Sequence, residues 1–155
     1  MAKRKAVKES SATGTRGRTI LYTVAALVAL AGLADATYLT ASALSGETAT
    51  CGGSTGCFEV LGSAYARIAG IPTAAFGVLG YFSAFTFATF TGFGYARSRT
   101  FFSITVWAMF STTLWLLYLQ AFVLHAFCRY CLFSAAITFL LAGLVVASPG
   151  EPNER

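Results

Sequence analysis

Four apolar runs in this chain are each long enough to cross a lipid bilayer. A helix needs about 20 apolar residues to span roughly 30 Å of hydrocarbon. The runs cover residues 19–46, 68–96, 100–127 and 130–150, and only Asp35 and His125 interrupt them. The sequence therefore predicts an all-α integral membrane protein, a bundle with transmembrane helices near residues 20–44, 72–95, 100–124 and 129–147.

The composition agrees with a membrane protein and argues against two other classes. With 56% hydrophobic and 11% charged residues, the chain has too few charges to cover a soluble globule. A basic N-terminal tail is present, but no aromatic-interleaved basic stripe, zinc spacing or helix-turn-helix pattern accompanies it, so nucleic acid is not an expected partner. Membrane lipid is the expected environment of the chain.

The chain divides into three segments on this basis. Residues 1–19 are predicted to be a disordered basic tail, residues 20–148 the membrane domain, and residues 149–155 a second short tail. The first apolar run exceeds the roughly 7 to 15 residues of a signal peptide core, which indicates a retained helix. Residues 45–71 read as an external loop with a short helical piece near 58–66.

The distribution of basic residues predicts the orientation. Cytoplasmic loops of membrane proteins carry an excess of Lys and Arg. If the tail is cytoplasmic, nine of the 11 basic residues lie inside and only Arg67 and Arg129 lie outside. We expect a multi-pass protein of the cell inner (plasma) membrane, with both termini in the cytoplasm and all four cysteines on the extracytoplasmic side.

A C-x-x-C motif lies where the fourth helix begins. The free N–H groups of a helix N-terminus stabilise a thiolate, and Arg129 adds a cation between Cys128 and Cys131. The motif alone has other readings, among them a structural disulfide. A metal site would need two more soft ligands, and haem attachment would need a histidine where Leu132 stands.

A second cysteine pair makes redox chemistry the favoured reading. The spacer between Cys51 and Cys57 consists of five small residues, so the loop is able to move a sulfur by several ångströms. A mobile dithiol and a helix-anchored dithiol on one side of the membrane form a possible relay. A non-enzymatic four-helix scaffold with two structural disulfides, and a metal-handling protein with four thiolates, stay open as alternatives.

At these residues the chain resembles the vitamin K epoxide reductase family, in its compact bacterial branch without a fused thioredoxin domain. The resemblance covers about residues 20–147. The matching stretches are ADATYLT at 34–40, Cys51, CFEVLGS at 57–63, GIP at 70–72, Gly77, GY at 80–81, LYLQ at 117–120 and CRYCLFS at 128–134.

The resemblance implies a four-helix bundle around a quinone, either ubiquinone or menaquinone, with no metal. The loop and a short half-helix would cap the quinone pocket. A reduced thioredoxin-fold (DsbA-like) protein outside the cytoplasm would attack Cys51, and Cys57 would pass the electrons to Cys128. Cys131, facing the ring, would deliver them to the quinone. Such a protein supports disulfide bond formation.

The same resemblance suggests quinone-binding residues. Ser63 matches a serine of the half-helix, and Phe76 is a candidate to pack against the ring. Members that reduce vitamin K epoxide carry an asparagine and a tyrosine where this chain has Thr73 and Ala135. Thr73 is expected to offer a hydroxyl donor to a quinone carbonyl, and Ala135 offers none. Reduction of a plain quinone is therefore favoured over reduction of the epoxide.

Two titratable residues have less specific interpretations. Asp35 lies in an apolar helix, where an ionised carboxylate costs at least about 2.5 kcal/mol, so it is expected to face the bundle or a polar pocket. His125 lies one turn before Cys128 and could shuttle a proton, although an interfacial histidine without a role is the more common case.

Overall fold

A computed structural model describes residues 2–45 and 55–148 of the chain. Within that part, four helices are long and apolar enough to cross a membrane, in the ranges Gly14–Ser45, Thr73–Gly92, Ala96–Val123 and Arg129–Ala147. The predicted all-α, four-helix membrane architecture is confirmed.

The helices and strands follow one another in a simple order. The first helix, α1, is Ala2–Ser45, and α2 is the short helix Thr55–Gly62. A 3-10 helix at Ala64–Ala66 and the strands β1 (Arg67–Ile68) and β2 (Ile71–Pro72) lead into α3, Thr73–Gly92. Helix α4 is Ala96–Tyr118 and continues as a π-helical turn, Leu119–Val123, and α5 is Arg129–Ala147.

The four long helices form a ring. Helix α1 packs against α3 and α5, and α4 packs against the same two helices. Lipid tails are as apolar as the side chains, so helices associate in a membrane through close packing of small residues. Ala25 and Ala29 of α1 and Ala84 and Ala88 of α3 are accordingly fully buried where these two helices meet.

Hydrogen bonds tie three chain segments together at the end of the bundle far from the cysteines. The hydroxyl of Tyr22 lies 3.0 Å from Oγ of Ser148, and Arg99 donates to the carbonyl of Ser148 at 3.5 Å. The start of α4 and the end of α5 therefore lie beside the first half of α1. This end also carries the short turn between α3 and α4, in which Gly94 adopts a φ of +100°.

A small cap joins α1 to α3 at the other end. Its strands pair antiparallel, Arg67 with Pro72 and Ile68 with Ile71, around a turn in which Ala69 and Gly70 both have positive φ. The expected helical piece near 58–66 is present as α2 followed by the 3-10 helix. The hairpin was not predicted, because its strands are only two residues long.

Several predicted boundaries differ from the structure. The tail at residues 1–19 was expected to be disordered, but α1 already begins at Ala2. Its Ala, Lys and Arg residues are strong helix formers, and no proline interrupts the chain before Pro72. The second helix ends at Gly92 rather than 95 because residues 93–95 form the turn, and the third begins at Ala96 rather than 100.

Candidate active site

The C-x-x-C motif lies at the start of α5, with Cys128 as the residue that precedes the first helical turn. The carbonyl of Cys128 accepts the N–H of Leu132 at 2.9 Å, as a helix N-terminus requires. The N–H of Cys128 donates to Oε1 of Gln120 at 3.1 Å. Gln120 is 3% exposed and belongs to the π-helical turn. This turn therefore holds the backbone of Cys128, in keeping with the frequent occurrence of π-bulges at functional sites.

Two cysteines from separate parts of the chain meet beneath the cap. Sγ of Cys57, on α2, lies 3.7 Å from Sγ of Cys128, and both residues are 0% exposed. Cys57 is disulfide-bonded, whereas Cys128 and Cys131 are free thiols. The predicted site residue Cys51 lies outside the described residues. Sulfurs at van der Waals distance are positioned for thiol-disulfide exchange, which proceeds by attack of one sulfur on another.

A glycine makes this approach possible. A Cβ added to Gly56 would lie 2.9 Å from the carbonyl oxygen of Phe127 and 3.3 Å from its nitrogen. These are backbone atoms, which are unable to move aside as a flexible side chain would. The glycine next to Cys57 thus lets α2 rest directly on the segment that carries Cys128.

We expect the variant Gly56→Ala to slow exchange between Cys57 and Cys128 by about 10-fold or more, because a small displacement of reacting atoms has a large kinetic cost. The measurement is quinone reduction driven by a reduced thioredoxin-fold donor. Gly62→Ala is the matched control in the same helix, since an added Cβ there has nothing within 4 Å. Equal rates for the two variants would contradict the assigned role of Gly56.

The thiol of Cys128 is acidified by its surroundings. Its pKa is lowered from 9.0 to about 6, with the hydrogen bond from the Cys131 side chain as the largest cause. The backbone N–H groups of Cys131 and Tyr130 lower this pKa as well, while burial and the charge of Asp35 raise it. The sequence predicted the acidification but attributed part of it to Arg129. That guanidinium lies instead over the ring of Tyr130, 5.3 Å from its centroid.

A cavity of about 660 Å³ extends from the cap into the bundle. Cys131 is the cysteine in its described wall, and all four predicted quinone-binding residues line it as well, namely Ser63, Thr73, Phe76 and Ala135. Its size falls within the roughly 300 to 1,000 Å³ of small-molecule sites, and most of its lining is apolar. A flat, apolar ring such as a quinone fits this lining.

The hydroxyls of Ser63 and Thr73 are already committed to backbone carbonyls. Ser63 donates to the carbonyl of Val60 at 2.8 Å, and Thr73 donates to that of Tyr65 at 3.1 Å. Each hydroxyl has a single proton. In this arrangement the Thr73 proton goes to the carbonyl of Tyr65, and a hydrogen bond from Thr73 to a quinone stays a prediction.

The cavity also has polar wall residues that the sequence did not single out as binding residues. Tyr81, Gln120, Ser134 and Thr138 all line it. Of these, Ser134 had a detectable signal, because it lies three residues after Cys131 and so on the same face of α5. Tyr81 belongs to the GY stretch that resembles the family, but its approach to α5 depends on the packing of α3.

Asp35 and His125 have different surroundings. Oδ2 of Asp35 is buried and has no hydrogen-bond partner among the described residues, and its carboxyl acts electrostatically on Cys128, Cys131 and Tyr81. It therefore faces the bundle, as expected. His125 is exposed and has a φ of +49°, so it forms part of the bend before Cys128.

No group of three or more His, Cys, Asp or Glu residues that could hold a metal is found in the described ranges.

A comparison of this chain with models of known protein families agrees with the arrangement of the cysteines and the cavity. The model of the vitamin K epoxide reductase family matches residues 23–146, from the first turns of the apolar part of α1 almost to the end of α5. The chain belongs to this family. Both cysteine pairs and the whole cavity lie within the matched region. Membership in the vitamin K epoxide reductase family makes the chain a membrane thiol-disulfide oxidoreductase.

Proposed function

We propose that this protein is a quinone-dependent thiol oxidase that moves electrons from a thioredoxin-fold partner to a membrane quinone. The observation that carries the proposal is the contact of 3.7 Å between Sγ of Cys57 and Sγ of Cys128, with Cys131 three residues further on in the wall of the cavity. Together, the three sulfurs provide a path from the cap to the cavity.

The first two exchanges balance without an outside oxidant. A thiolate of the reduced partner attacks Cys51 of the Cys51–Cys57 disulfide, and the partner's second thiol completes its own disulfide. The Cys51–Cys57 pair is then a dithiol that carries the two electrons. Cys57 next attacks Cys128 of the Cys128–Cys131 disulfide, Cys131 leaves as a thiolate, and Cys51 attacks Cys57 to free Cys128. The loop disulfide is thereby restored, and the helix pair is a dithiol.

The product of this second exchange has a disulfide at Cys57 and two thiols at Cys128 and Cys131. Cys57 is disulfide-bonded, and Cys128 and Cys131 are free. A quinone supplies the two-electron acceptor that returns the helix pair to its disulfide. Electrons flow in this direction because quinone couples have potentials well above those of thioredoxin-like dithiols. A lowered pKa makes Cys128 a good leaving group when Cys51 attacks the Cys57–Cys128 disulfide.

The basic residues support an orientation with the cysteines outside. Arg16, Arg18, Arg97 and Arg99 belong to the end of the bundle that also carries Ser148, whereas the cysteine end has Arg67 and Arg129. The positive-inside rule assigns the first end to the cytoplasm. Both termini are then cytoplasmic, the protein resides in the plasma membrane, and its partner is a DsbA-like protein on the outer side. The membrane domain is residues 20–148 with the loop 45–71, flanked by tails 1–19 and 149–155.

The substrate is a plain quinone, ubiquinone or menaquinone, rather than vitamin K epoxide. Position 135 is an alanine without a hydrogen-bonding side chain, and the hydroxyl of Thr73 donates to the carbonyl of Tyr65. The competing interpretation, a scaffold with two structural disulfides, is disfavoured because a sulfur of one pair lies 3.7 Å from a sulfur of the other and Cys131 lines the cavity.

The test is anaerobic mixing of the purified protein in lipid nanodiscs with a reduced thioredoxin-fold donor and a soluble quinone. We expect catalytic loss of quinone absorbance and formation of one donor disulfide per quinone consumed. The Cys57→Ala variant is the control for direct reaction between donor and quinone. A wild-type rate no higher than that of this control would contradict the proposed function.

A further inference from the structure

Ser134 is the cavity hydroxyl closest in sequence to the thiol that faces the cavity. It lies three residues after Cys131 on α5, and both residues line the wall. Residues at this spacing occupy the same face of a helix. A ligand that contacts the sulfur of Cys131 therefore also meets the side chain of Ser134.

Tyr81 reaches across from α3 to hold this part of α5. Its hydroxyl donates to the carbonyl of Ser134 at 2.8 Å, and it lies 2.8 Å from Oγ of Ser134 and 3.0 Å from Oγ1 of Thr138. The Tyr81 side chain is 1% exposed, and its ring lies so close to Gly32 of α1 that a Cβ there would clash with it. The phenol is therefore fixed in position by three helices.

The hydroxyl protons of Tyr81, Ser134 and Thr138 do not all go to the same acceptor. The proton of Tyr81 goes to the carbonyl of Ser134, and the proton of Thr138 goes to the same carbonyl at 3.1 Å. Of the Tyr81, Ser134 and Thr138 hydroxyls, only that of Ser134 donates its proton to no backbone carbonyl. It is able to turn from Tyr81 toward the cavity while the phenol keeps its hydrogen bond to the Ser134 carbonyl. The hydroxyls of Ser63 and Thr73 lack this freedom.

Gln120 is the other polar residue of the wall that comes close to the cysteines. Its side-chain oxygen accepts the backbone N–H of Cys128, which fixes the orientation of the amide. Ala135 and Phe76 have no side-chain donor.

We propose that the hydroxyl of Ser134 donates a hydrogen bond to a carbonyl oxygen of the quinone bound beside Cys131, and that Tyr81 is the residue that positions this donor. This inference rests on the proposed function and names the hydrogen-bonding partner that the cavity provides. A donor aimed at an oxygen that becomes negative during reduction stabilises the transition state, as oxyanion-hole donors do.

The proton balance of the reaction gives this donor a role. Reduction of a quinone to a hydroquinone takes two electrons and two protons. With Cys128 as a thiolate near neutral pH, the helix pair supplies both electrons but only the proton of Cys131. The remaining proton comes from water, and a hydroxyl hydrogen-bonded to the carbonyl oxygen stabilises that oxygen until the proton arrives.

The kinetic test compares Ser134→Ala with Ser134→Thr, which retains a hydroxyl. We expect Ser134→Ala to lower kcat for quinone reduction by about 10-fold to 100-fold, and Ser134→Thr to restore most of it. Tyr81→Phe, which leaves Ser134 without its fixed partner, is expected to cause a smaller loss. Ser111→Ala is the matched control, because Ser111 is exposed on α4 and donates only within its own helix.

A spectroscopic measurement separates hydrogen bonding from a purely structural role. In the inactive Cys131→Ala background, carbonyl-labelled quinone should show a lowered C=O stretching frequency, and adding Ser134→Ala should raise it. If Ser134→Ala changes neither the C=O frequency of the bound quinone nor, with Cys131 present, the kcat, the inference is overturned while the proposed function is left intact. Failure of quinone to bind or to be reduced in the wild type would instead overturn the proposed function.

Discussion

The variant Cys131→Ala is expected to lose at least about 100-fold of the quinone reduction rate, as enzymes do when the reacting group is removed. The reason lies in the position of the sulfurs. Cys131 lines the cavity, whereas Cys128 is 0% exposed and packs beneath the cap against Val60 and Ala126. The other sulfur in the described cavity wall is the thioether of Met109, and a thioether does not form a disulfide.

The same variant should keep the first exchange. Cys51 and Cys57 are unchanged, so a mixed disulfide with the thioredoxin-fold donor should still form and be detectable by mass spectrometry after acid quenching. Cys131→Ser is the companion variant, because it preserves size and polarity while removing the redox-active sulfur. Quinone reduction at near wild-type rate in either variant would show that electrons leave the protein from another residue.

The membrane architecture was predictable because it depends on local composition. Each transmembrane helix is an apolar run bounded by charges, glycine or a turn, so three of the four helices both begin and end within a few residues of the predicted positions. The exception is the N-terminal part of α1, where Ala and Lys continue the helix through a segment that hydropathy alone identifies only as charged.

The pairing of cysteines was predictable in outline but not in detail. Sequence placed Cys57 and Cys128 on one side of the membrane, and the structure brings their sulfurs to 3.7 Å. What allows that approach is the absence of a side chain at Gly56, which is one of several glycines in the loop and has no distinguishing local pattern. Its importance depends on contact with Phe127, a residue 71 positions away.

The hydrogen bonds of the cavity were beyond prediction for the same reason. Thr73 looks like a free donor in the sequence, but the fold of the cap presents the carbonyl of Tyr65 to it. Tyr81 and Ser134 are 53 residues apart, and they meet only because α1, through its small residues, lets α3 and its tyrosine pack closely. Similarly, the π-helical turn that brings Gln120 to Cys128 has no signature in hydropathy.

The double variant Cys51→Ala, Cys131→Ala is expected to form a Cys57–Cys128 disulfide in most molecules on mild oxidation. These two sulfurs are 3.7 Å apart, and each has lost the partner that competes for it, so little movement is needed to reach bonding distance. The bond should appear as a cross-linked peptide pair in mass spectrometry without reductant. Absence of this bond would contradict the proposed exchange between Cys57 and Cys128.

The matched control is Cys51→Ala, Cys128→Ala, which leaves Cys57 and Cys131. Cys131 lines the cavity but Cys57 does not, so this pair should cross-link more slowly. Adding Gly56→Ala to the first double variant should also slow its cross-linking, because the new methyl group pushes α2 away from the Phe127 carbonyl. If the Cys57–Cys131 bond forms as fast as the Cys57–Cys128 bond, electrons do not need Cys128 as an intermediate. The relay would then run directly from the cap to the cavity.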